Sequence, residues 1–236
     1  MPAKPTSPVF QNTEGVALHD ITLIRGSTTV FAGLSLHLKE HRIGLIGDNG
    51  AGKSSLFRLM CSLDLPQKGH VVWPKGEHSV GMMFQNPEEQ IIFPTVEEEL
   101  ALSLHRLQLS RLEAQTHVRD WLQARGLAHW APRAIGSLSQ GQRQHVCWLA
   151  LRIAAHPTLL LDEPYSSLDL PSQALLHQEI AQAQEQIIVS THVLDHVRHF
   201  ERVIWLEQGR VRHDGPGPEV CAAYEADVAL RTANPT

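Results

Sequence analysis

Hydrophobic and polar positions alternate along residues 16–38, and this period of two predicts antiparallel strands. The apolar run at residues 43–46 predicts a buried strand, and a helix is predicted to follow over residues 54–62. Two further strands are predicted at residues 70–73 and 80–84. The first third of the chain is therefore predicted to be mainly β-structure.

The pattern becomes helical between residues 95 and 155. Three residue pairs there have the spacing of a capping box, in which each residue's side chain accepts a hydrogen bond from the other's backbone N–H group. They are Thr95 with Glu98, Ser110 with Glu113, and Ser139 with Gln142. The sequence thus predicts a helical insertion between β-rich segments.

Strands and helices alternate in the last third of the chain. The apolar run at residues 158–162 predicts a buried strand, which is followed by a predicted helix at residues 171–185 and a strand at residues 187–190. A further helix is predicted from about residue 193, and a hairpin at residues 203–211. This alternation is typical of an α/β fold with a parallel sheet.

We expect a single domain that contains an inserted subdomain. Residues 1–14 are rich in Pro, Ser and Thr and lack periodicity, so they are predicted to be a flexible leader. The other predicted boundaries are a core at residues 15–90 and 157–215, a helical subdomain at 91–156 and a C-terminal helical tail at 216–236, all within one domain at 15–236.

Composition narrows the classes of partner. A net charge of -5 and a pI near 6.3 argue against nucleic acid as a partner, because nucleic-acid binding usually needs a basic surface. The sequence has no apolar run long enough to span a membrane and no apolar signal-peptide core, so we expect a cytoplasmic location. Cys61, Cys147 and Cys221 are odd in number and far apart, which favours packing roles over a disulfide or zinc site.

Residues 47–54, called the phosphate loop below, match the pattern G-x-x-x-x-G-K-[ST] after the predicted strand. Glycines allow the backbone to form a nest whose N–H groups converge on phosphate oxygens. Lys53 adds a positive charge near the β- and γ-phosphates, and Ser54 can place its hydroxyl on Mg²⁺. The strand-loop-helix context disfavours a mere glycine-rich turn. The predicted nucleotide-binding residues here are Gly47, Asp48, Asn49, Gly50, Ala51, Gly52, Lys53, Ser54 and Ser55.

An acid pair follows the buried strand at residues 158–162. Asp162 ends this strand, where a side chain can reach the Mg²⁺ shell, and Glu163 is placed to polarise an attacking water. A solvated turn is the alternative, which the preceding apolar run and Pro164 disfavour. His192 ends the next strand and can hydrogen-bond the γ-phosphate.

Three histidines raise the question of a second metal site. His192, His196 and His199 share one face of the predicted helix, which would suit a metal bound through the first two. The chain has 15 histidines, so such pairs arise by chance, and no nearby Cys or carboxylate group completes a four-ligand set. We therefore prefer solvated helix positions for His196 and His199.

Taken together, these motifs resemble the nucleotide-binding subunits of ATP-binding cassette (ABC) transporters. The resemblance covers residues 16–215 and rests on six motifs in order. They are the phosphate loop, Gln85, Ser137-Leu138-Ser139-Gln140-Gly141-Gln142, Asp162-Glu163, Ser167-Leu168-Asp169 and His192. The resemblance implies a P-loop NTPase core with an N-terminal antiparallel β subdomain and the helical insertion, and it implies ATP hydrolysis with ATP and Mg²⁺ as ligands.

The resemblance also implies roles for single residues. Two subunits, identical or related, would sandwich ATP between the phosphate loop of one and Ser139, Gln140, Gly141 and Gln142 of the other, with Asp169 at the interface. Gln140 replaces the first glycine of the family motif L-S-G-G-Q, which we expect to be tolerated. Glu163 would be the general base, Lys53 and His192 would stabilise charge, Gln85 would link the nucleotide to the helical subdomain, and Ser54, Gln85 and Asp162 would hold Mg²⁺. The usual adenine-stacking aromatic aligns near Ile24 or Arg25, so adenine is expected on an aliphatic or guanidinium surface.

A narrower resemblance concerns residues 85–99, which are similar to the Q-N-P-x-x-Q-x-x-x-x-T-V-x-x-E segment of energy-coupling factor (ECF) ATPases. The biotin type is most similar and the cobalt or nickel type next. The implied partners are an integral membrane coupling subunit and a substrate-binding membrane subunit, at the cytoplasmic face of the membrane. Residues 97–99 could be merely a solvated first helical turn, where acids suit the helix dipole. We expect both features to be present: a well-capped helix, and apolar surface at the preceding residues 91–93 that faces the membrane partners. The alternatives are another ABC system, a soluble mechanical ATPase and a non-hydrolysing nucleotide sensor.

Overall fold

The computed structural model describes residues 15–74, 76, 79–166 and 168–233. The predicted leader and Ser167 of the Ser167-Leu168-Asp169 motif lie outside the described residues.

A six-stranded sheet forms the centre of the fold, with the strand order β5-β6-β7-β3-β8-β9. Its strands are β3 (Arg42–Ile46), β5 (Val80–Met83), β6 (Thr158–Asp162), β7 (Gln186–Ser190), β8 (Arg202–Glu207) and β9 (Arg210–Gly215). The first five in spatial order are parallel, and β8 and β9 form an antiparallel hairpin. Strands β3, β6 and β7 are almost wholly buried, as is typical of parallel strands covered on both faces, so their carboxyl ends meet at one edge of the sheet.

A second sheet has three antiparallel strands in the order β2-β1-β4. They are β1 (Val16–Arg25), β2 (Thr28–Leu38) and β4 (Lys68–Val72). Buried and exposed positions alternate along β2, as expected for a strand with one solvated face. Its buried residues pack with those of β3 and with helix α1 (Lys53–Met60) in one hydrophobic cluster.

The remaining helices are α2 (Val96–Leu102), α3 (Arg111–Gln123), α4 (Gln140–Ala154), α5 (Leu170–Gln182) and α6 (Gly217–Ala233). Helices α2, α3 and α4 share a cluster that includes Val96, Val118 and Val146. Helix α4 also contributes Trp148 to the cluster on the sheet, so it belongs to both layers. The predicted fold class, an α/β core with antiparallel β and helical parts, is confirmed, while the predicted domain boundaries stay predictions.

Two helix predictions need correction. The helix expected from about residue 193 is wrong, because only a single 3-10 turn forms, at Leu194–His196. Helix α5 ends at Gln182 rather than at Glu185. The Arg42 guanidinium donates to the carbonyl of Ile180 in the last turn and to those of Ala183 and Glu185 beyond it, so these carbonyls are bonded without continuation of the helix.

The three predicted capping boxes have different outcomes. Ser110 and Ser139 each form the complete box with the residue three positions later. Thr95 caps α2, because its side chain accepts the Glu98 N–H. The Glu98 carboxylate, however, accepts from the Thr95 hydroxyl at 2.8 Å rather than from the Thr95 N–H. The Thr95 backbone also forms a β-bridge with Ala134, which ties the start of α2 to the segment before α4.

Within the described part of the chain, no helix combines the length and the hydrophobicity needed to cross a lipid bilayer.

Candidate functional site

The phosphate loop connects β3 to α1, as predicted. Gly47 has a φ of 138°, and a Cβ there would lie 2.1 Å from the carbonyl oxygen of Leu206. Gly52 caps α1 with a φ of 107° and has no side chain to bond the first N–H groups of the helix. The loop therefore needs glycine at both positions, and the N–H groups at the start of α1 are left to bind an anion.

A cavity of about 550 Å³, called the phosphate-loop cavity below, opens over this segment. It brings together residues from the carboxyl ends of β3, β5, β6 and β7, which is where ligands bind in open α/β sheets. Its lining residues are Val30, Gly47, Asp48, Asn49, Gly50, Gly52, Lys53, Ser54, Ser55, Gln85, Asp162, Glu163, His192 and Tyr224. Twelve of these fourteen were expected at the nucleotide from the sequence, and Val30 and Tyr224 were not.

Lys53 is 8% exposed and lies at the floor of the cavity. Its Nζ donates to the carbonyl oxygens of Gly47 at 2.6 Å and Asp48 at 3.2 Å. Burial lowers the pKa of Lys53, and the nearby carboxylates of Glu163 and Asp162 partly oppose that shift. The ammonium is thus held within the phosphate loop, where it can meet phosphate oxygens.

The acid pair occupies the end of β6. Asp162 is 6% exposed, and Glu163 has a left-handed φ of 46°. The Glu163 N–H donates to the Ser190 carbonyl at 2.9 Å, which holds this uncommon conformation. A carboxylate oxygen of Glu163 lies 2.9 Å from His192 Nδ1, so the two predicted catalytic side chains are in direct contact.

Gln85 lies between two cavities. It lines the phosphate-loop cavity and also a neighbouring cavity of about 580 Å³, whose lining includes Gln140 and Arg143 of α4. The position is consistent with the predicted link from the nucleotide to the helical segment.

The residues around the start of α4 form a compact cap. Ser139 Oγ accepts from Gln142 N, and Gln142 Oε1 accepts from Ser139 N, both at 3.2 Å. Gly141 packs against α5, since a Cβ there would lie 3.1 Å from Ser172 Oγ. Gln140 is exposed. None of these four residues lines the phosphate-loop cavity formed by the described residues, and their predicted contact with ATP stays a prediction.

Asp169 caps helix α5. Its carboxylate accepts from Ser172 N at 3.0 Å, and the pKa of Asp169 is lowered by its hydrogen bonds to Ser172. The predicted role of Asp169 at a subunit interface stays a prediction.

Adenine contact by Ile24 also stays a prediction. Ile24 is 42% exposed, and its N–H donates to Gln67 Oε1 at 2.7 Å. It is not among the described residues that line the phosphate-loop cavity, and neither is Ala51, the buried residue of the phosphate loop. Arg25 forms an ion pair with Asp64.

Val30 and Tyr224 line the phosphate-loop cavity although the sequence did not predict them there. No local sequence pattern around Tyr224 indicates the site, because the packing of α6 brings this residue to the cavity.

The three histidines weighed as a metal site do not share a helical face, because the predicted helix is absent. His196 packs on Tyr165 with ring centroids 4.1 Å apart, and its pKa is lowered by burial. His199 contacts His177 and Phe200 instead. In the described ranges, no group of three or more His, Cys, Asp or Glu side chains is arranged to hold a metal ion.

Comparison with known proteins identifies the family. The family model described as "ABC transporter" matches residues 31–166, which is more than half of the chain. The chain belongs to the ABC transporter family. Members of this ABC family that carry the phosphate loop and acid pair bind and hydrolyse ATP, and the chain is accordingly an ATP-binding protein and an ATPase.

Relatives within the ABC family agree with the predicted type. The chain is 40% identical over 222 residues to the biotin transport ATP-binding protein BioM of Rhodobacter capsulatus, covering 90% of this chain and 95% of that protein. This identity confirms the predicted similarity to biotin-type ATP-binding subunits.

Solved structures of ABC proteins share the fold. CbiO1 from Clostridium perfringens, described as part of the ABC transporter complex CbiONQ, aligns with a TM-score of 0.74 and 23% identity over 95% of this chain and 97% of that chain. A dimeric ATP-binding cassette bound to ADP and Pi in a post-hydrolysis state aligns with a TM-score of 0.71 and 23% identity, over 85% of this chain and 98% of that one.

Proposed function

We propose that the chain is the ATP-hydrolysing subunit of an ECF-type importer that powers uptake of a vitamin, with biotin favoured over a transition-metal ion. The observation that carries this proposal is the 40% identity with the Rhodobacter capsulatus biotin transport ATP-binding protein, which extends over nearly the full length of both chains. The ECF-like segment at residues 85–99 supports the same assignment.

ATP phosphates would lie on the N–H groups of the phosphate loop, with Lys53 Nζ exchanging its carbonyl partners for phosphate oxygens. Ser54, Gln85 and Asp162 line the same cavity and offer hydroxyl, amide and carboxylate oxygens, which are the ligands that Mg²⁺ prefers. A Mg²⁺ ion held by these three residues would supply positive charge that offsets the charge of the ATP phosphates.

Glu163 would accept the proton of the attacking water as general base. Its carboxylate oxygen lies 2.9 Å from His192 Nδ1, so the two side chains are in contact. The other ring nitrogen of His192, Nε2, would hydrogen-bond a phosphoryl oxygen, so the pair would bring a base and a phosphate contact to one reaction step.

A dimer would complete the site. Ser139, Gln140, Gly141 and Gln142 lie outside their own subunit's phosphate-loop cavity, and an exposed helix N-terminus can bind phosphate. Each ATP would lie between the phosphate loop of one subunit and this cap of another, identical or related, with Asp169 at the interface. The fold shared with a dimeric cassette supports this arrangement.

The surface for membrane partners would be formed by residues 91–93. Ile92 is 74% exposed and Phe93 is 39% exposed, an uncommon arrangement for large apolar side chains in adjacent positions. Glu99 is 5% exposed, and its Oε2 accepts the N–H groups of Ile92 at 2.9 Å and Phe93 at 2.8 Å. The segment is thus held in a fixed conformation, which suits the docking of an integral coupling subunit at the cytoplasmic face of the membrane.

The test is transport by the chain co-expressed with the integral membrane proteins encoded beside it. Membrane vesicles loaded with ATP are expected to accumulate radiolabelled biotin, and Glu163→Gln is expected to abolish accumulation. Uptake of Co²⁺ or Ni²⁺ instead of biotin would reassign the substrate. A wild-type protein that stays in the soluble fraction, without either uptake, would favour a soluble mechanical ATPase.

A matched pair of variants tests the proposed docking surface. Ile92→Asp places a charge in the apolar segment and is expected to reduce co-purification with the membrane partners at least about tenfold, because an unpaired carboxylate would be desolvated at the interface. Leu65→Asp is the control, since Leu65 is 80% exposed in the loop before β4. Equal losses in both variants, or none in Ile92→Asp, would place the docking surface elsewhere.

A further inference from the structure

The Asp48 side chain faces the C-terminal helix α6, although its backbone belongs to the phosphate loop. Tyr224 Oη donates to Asp48 Oδ1 at 2.7 Å, and Arg231 Nη1 donates to Asp48 Oδ2 at 2.5 Å. Arg231 Nη2 lies 3.5 Å from Oδ1, so the guanidinium spans both carboxylate oxygens. These bonds, that of Arg231 first, lower the pKa of Asp48, so the carboxylate is ionised at neutral pH.

Helix α6 holds these two donors independently of Asp48. The Tyr224 ring stands edge-on to Trp205 of β8, with centroids 5.1 Å apart. Asp227 forms ion pairs with Arg212 of β9 at 2.7 Å and with Arg231 at 2.8 Å. The donors are thus anchored to the last two strands of the sheet, and they reach the loop 176 and 183 residues away in sequence.

The contacts of Asp48 with Tyr224 and Arg231 affect the balance of charge in the phosphate-loop cavity. Among the described residues that line it, Asp48, Asp162 and Glu163 carry carboxylates, against the single ammonium of Lys53. Asp162 and Glu163 have proposed roles toward Mg²⁺ and water, but Asp48 has none that uses its charge. An uncompensated carboxylate in the loop that binds phosphates would oppose ATP by like-charge repulsion.

We propose that Arg231 and Tyr224 are positioning residues that hold the Asp48 carboxylate against α6 and neutralise it, and that helix α6 thereby sets the affinity of the phosphate loop for ATP. This inference rests on the proposed binding of ATP phosphates by that loop.

The same contacts contribute little to folding stability. The Arg231 and Asp48 side chains are 45% and 51% exposed, and ion pairs at such exposure have small effects on the free energy of unfolding. A change in nucleotide affinity without a change in thermal stability therefore separates a positioning role from a merely structural one.

The first experiment removes the charge of Arg231 in the full-length protein. Arg231→Gln is expected to weaken binding of a fluorescent ATP analogue about fivefold and to raise KM for ATP by about the same factor, with kcat within about twofold of wild type. Arg231→Lys keeps the charge but loses the two-point contact of the guanidinium, so its affinity is expected to lie between those of wild type and Arg231→Gln. The melting temperatures of both variants are expected to stay within about 2 °C of wild type.

The second experiment removes the repelling charge as well. Asp48→Asn combined with Arg231→Gln is expected to bind ATP at least about threefold more tightly than Arg231→Gln by itself, because the carboxylate that Arg231 neutralised is gone. Arg198→Gln, which breaks the Arg198–Glu225 ion pair of α6 away from the loop, is the matched control with unchanged affinity.

Wild-type affinity in Arg231→Gln would overturn the inference, and so would a double variant as weak as Arg231→Gln. Should Arg231→Gln melt more than about 4 °C below wild type, Tyr224→Phe replaces it, because Phe keeps the ring against Trp205 and loses only the hydroxyl. Affinity about twofold weaker would then support the inference, and unchanged affinity would overturn it. Failure of the wild-type protein to bind the analogue would overturn the proposed function together with this inference.

Discussion

At the scale of single residues, the acid pair shows how the backbone prepares a side chain for chemistry. Glu163 has a φ of 46°, an uncommon value for a residue other than glycine, and the hydrogen bond to Ser190 holds it there. This conformation carries the Glu163 carboxylate from the end of a buried strand to a point 2.9 Å from His192. The strain is thus located at the proposed general base.

Glu163→Gln tests this role directly. We expect ATP binding to be retained and turnover to fall at least about a hundredfold, because the amide keeps the shape of the side chain but cannot accept the water proton. Steady-state phosphate release and equilibrium ATP binding measure the two effects. Wild-type turnover in this variant would exclude Glu163 as the base.

Gly47→Ala tests the steric requirement of the phosphate loop. The new Cβ would lie 2.1 Å from the Leu206 carbonyl oxygen at a φ of 138°, so we expect the free energy of unfolding to fall by at least about 2 kcal/mol and ATP binding to be lost. Gly136→Ala is the control, because nothing lies within 4 Å of a Cβ there and its φ is not positive. Thermal denaturation compares the two, and equal melting temperatures would contradict the prediction.

At the scale of secondary-structure elements, helices α3 and α4 begin with the same capping motif but are expected to differ in function. Each starts with a serine in a complete capping box. The α4 cap adjoins the second cavity that Gln85 lines, whereas Ser110 of the α3 cap lines neither that cavity nor the phosphate-loop cavity. The same local motif therefore offers a matched comparison of stability with function.

Ser139→Ala and Ser110→Ala are expected to lose about the same free energy of unfolding, about 1 kcal/mol each, because each removes one helix cap. Only Ser139→Ala is expected to lower ATP hydrolysis, by about tenfold, through loss of a phosphate contact across the dimer. ATP binding by the isolated monomer is expected to persist in both. Equal hydrolysis rates in the two variants would argue against a role of α4 in the partner's site.

Helix α2 holds the proposed docking segment through one buried side chain. The interpretation of residues 97–99 as merely a solvated turn is wrong, because Glu97 and Glu99 are 8% and 5% exposed. Glu97 pairs with Arg119 at 2.6 Å, and Glu99 accepts the two N–H groups of residues 92 and 93. The carboxylates of Glu97 and Glu99 are therefore hydrogen-bonded within the protein rather than solvated.

Glu99→Leu is expected to free those two N–H groups and raise their hydrogen-exchange rates at least about tenfold. Glu98→Leu is the control on the same helix, since Glu98 bonds Thr95 and Arg111 and neither of those N–H groups. Exchange rates that rise equally in both variants would show that α2 as a whole, rather than Glu99, orders the segment.

At the scale of the whole molecule, the proposed site is divided between two regions of one chain. The phosphate-loop cavity lies at the carboxyl edge of the central sheet, and the cap of α4 lies outside it. In the proposed function, a second subunit would bring its own α4 cap to the phosphate loop.

The Glu163→Gln variant is expected to form a stable dimer with ATP and Mg²⁺, because ATP is bound but not consumed. Sedimentation should then give twice the 26.3 kDa mass of the single chain, and without nucleotide the mass of the monomer. Adding Ser139→Ala to this variant is expected to weaken the dimer. A monomer at saturating ATP would contradict a site shared between two copies of this chain and would favour a related partner subunit.

Several motifs and helix caps of this protein can be predicted from local sequence patterns. The phosphate loop, Asp162 with Glu163, and the capping boxes of α3 and α4 are each set by neighbours within a few residues, so their chemistry can be read without the fold. Where a distant residue intervenes, local patterns fail. Arg42 bonds the carbonyl of Ile180 in the last turn of α5 and that of Glu185 beyond it, and only a 3-10 turn forms where a helix was expected after His192.

Only the tertiary structure decided which distant residues reach the site. The contact between Asp48 and Tyr224 crosses 176 residues and exists because α6 packs on β8. The fixed conformation of residues 92 and 93 likewise depends on a carboxylate that looks, in sequence, like one acid of a solvated turn. Local sequence encodes backbone shape and chemical groups, whereas the compensation of buried or repelling charges depends on packing between elements far apart in the chain.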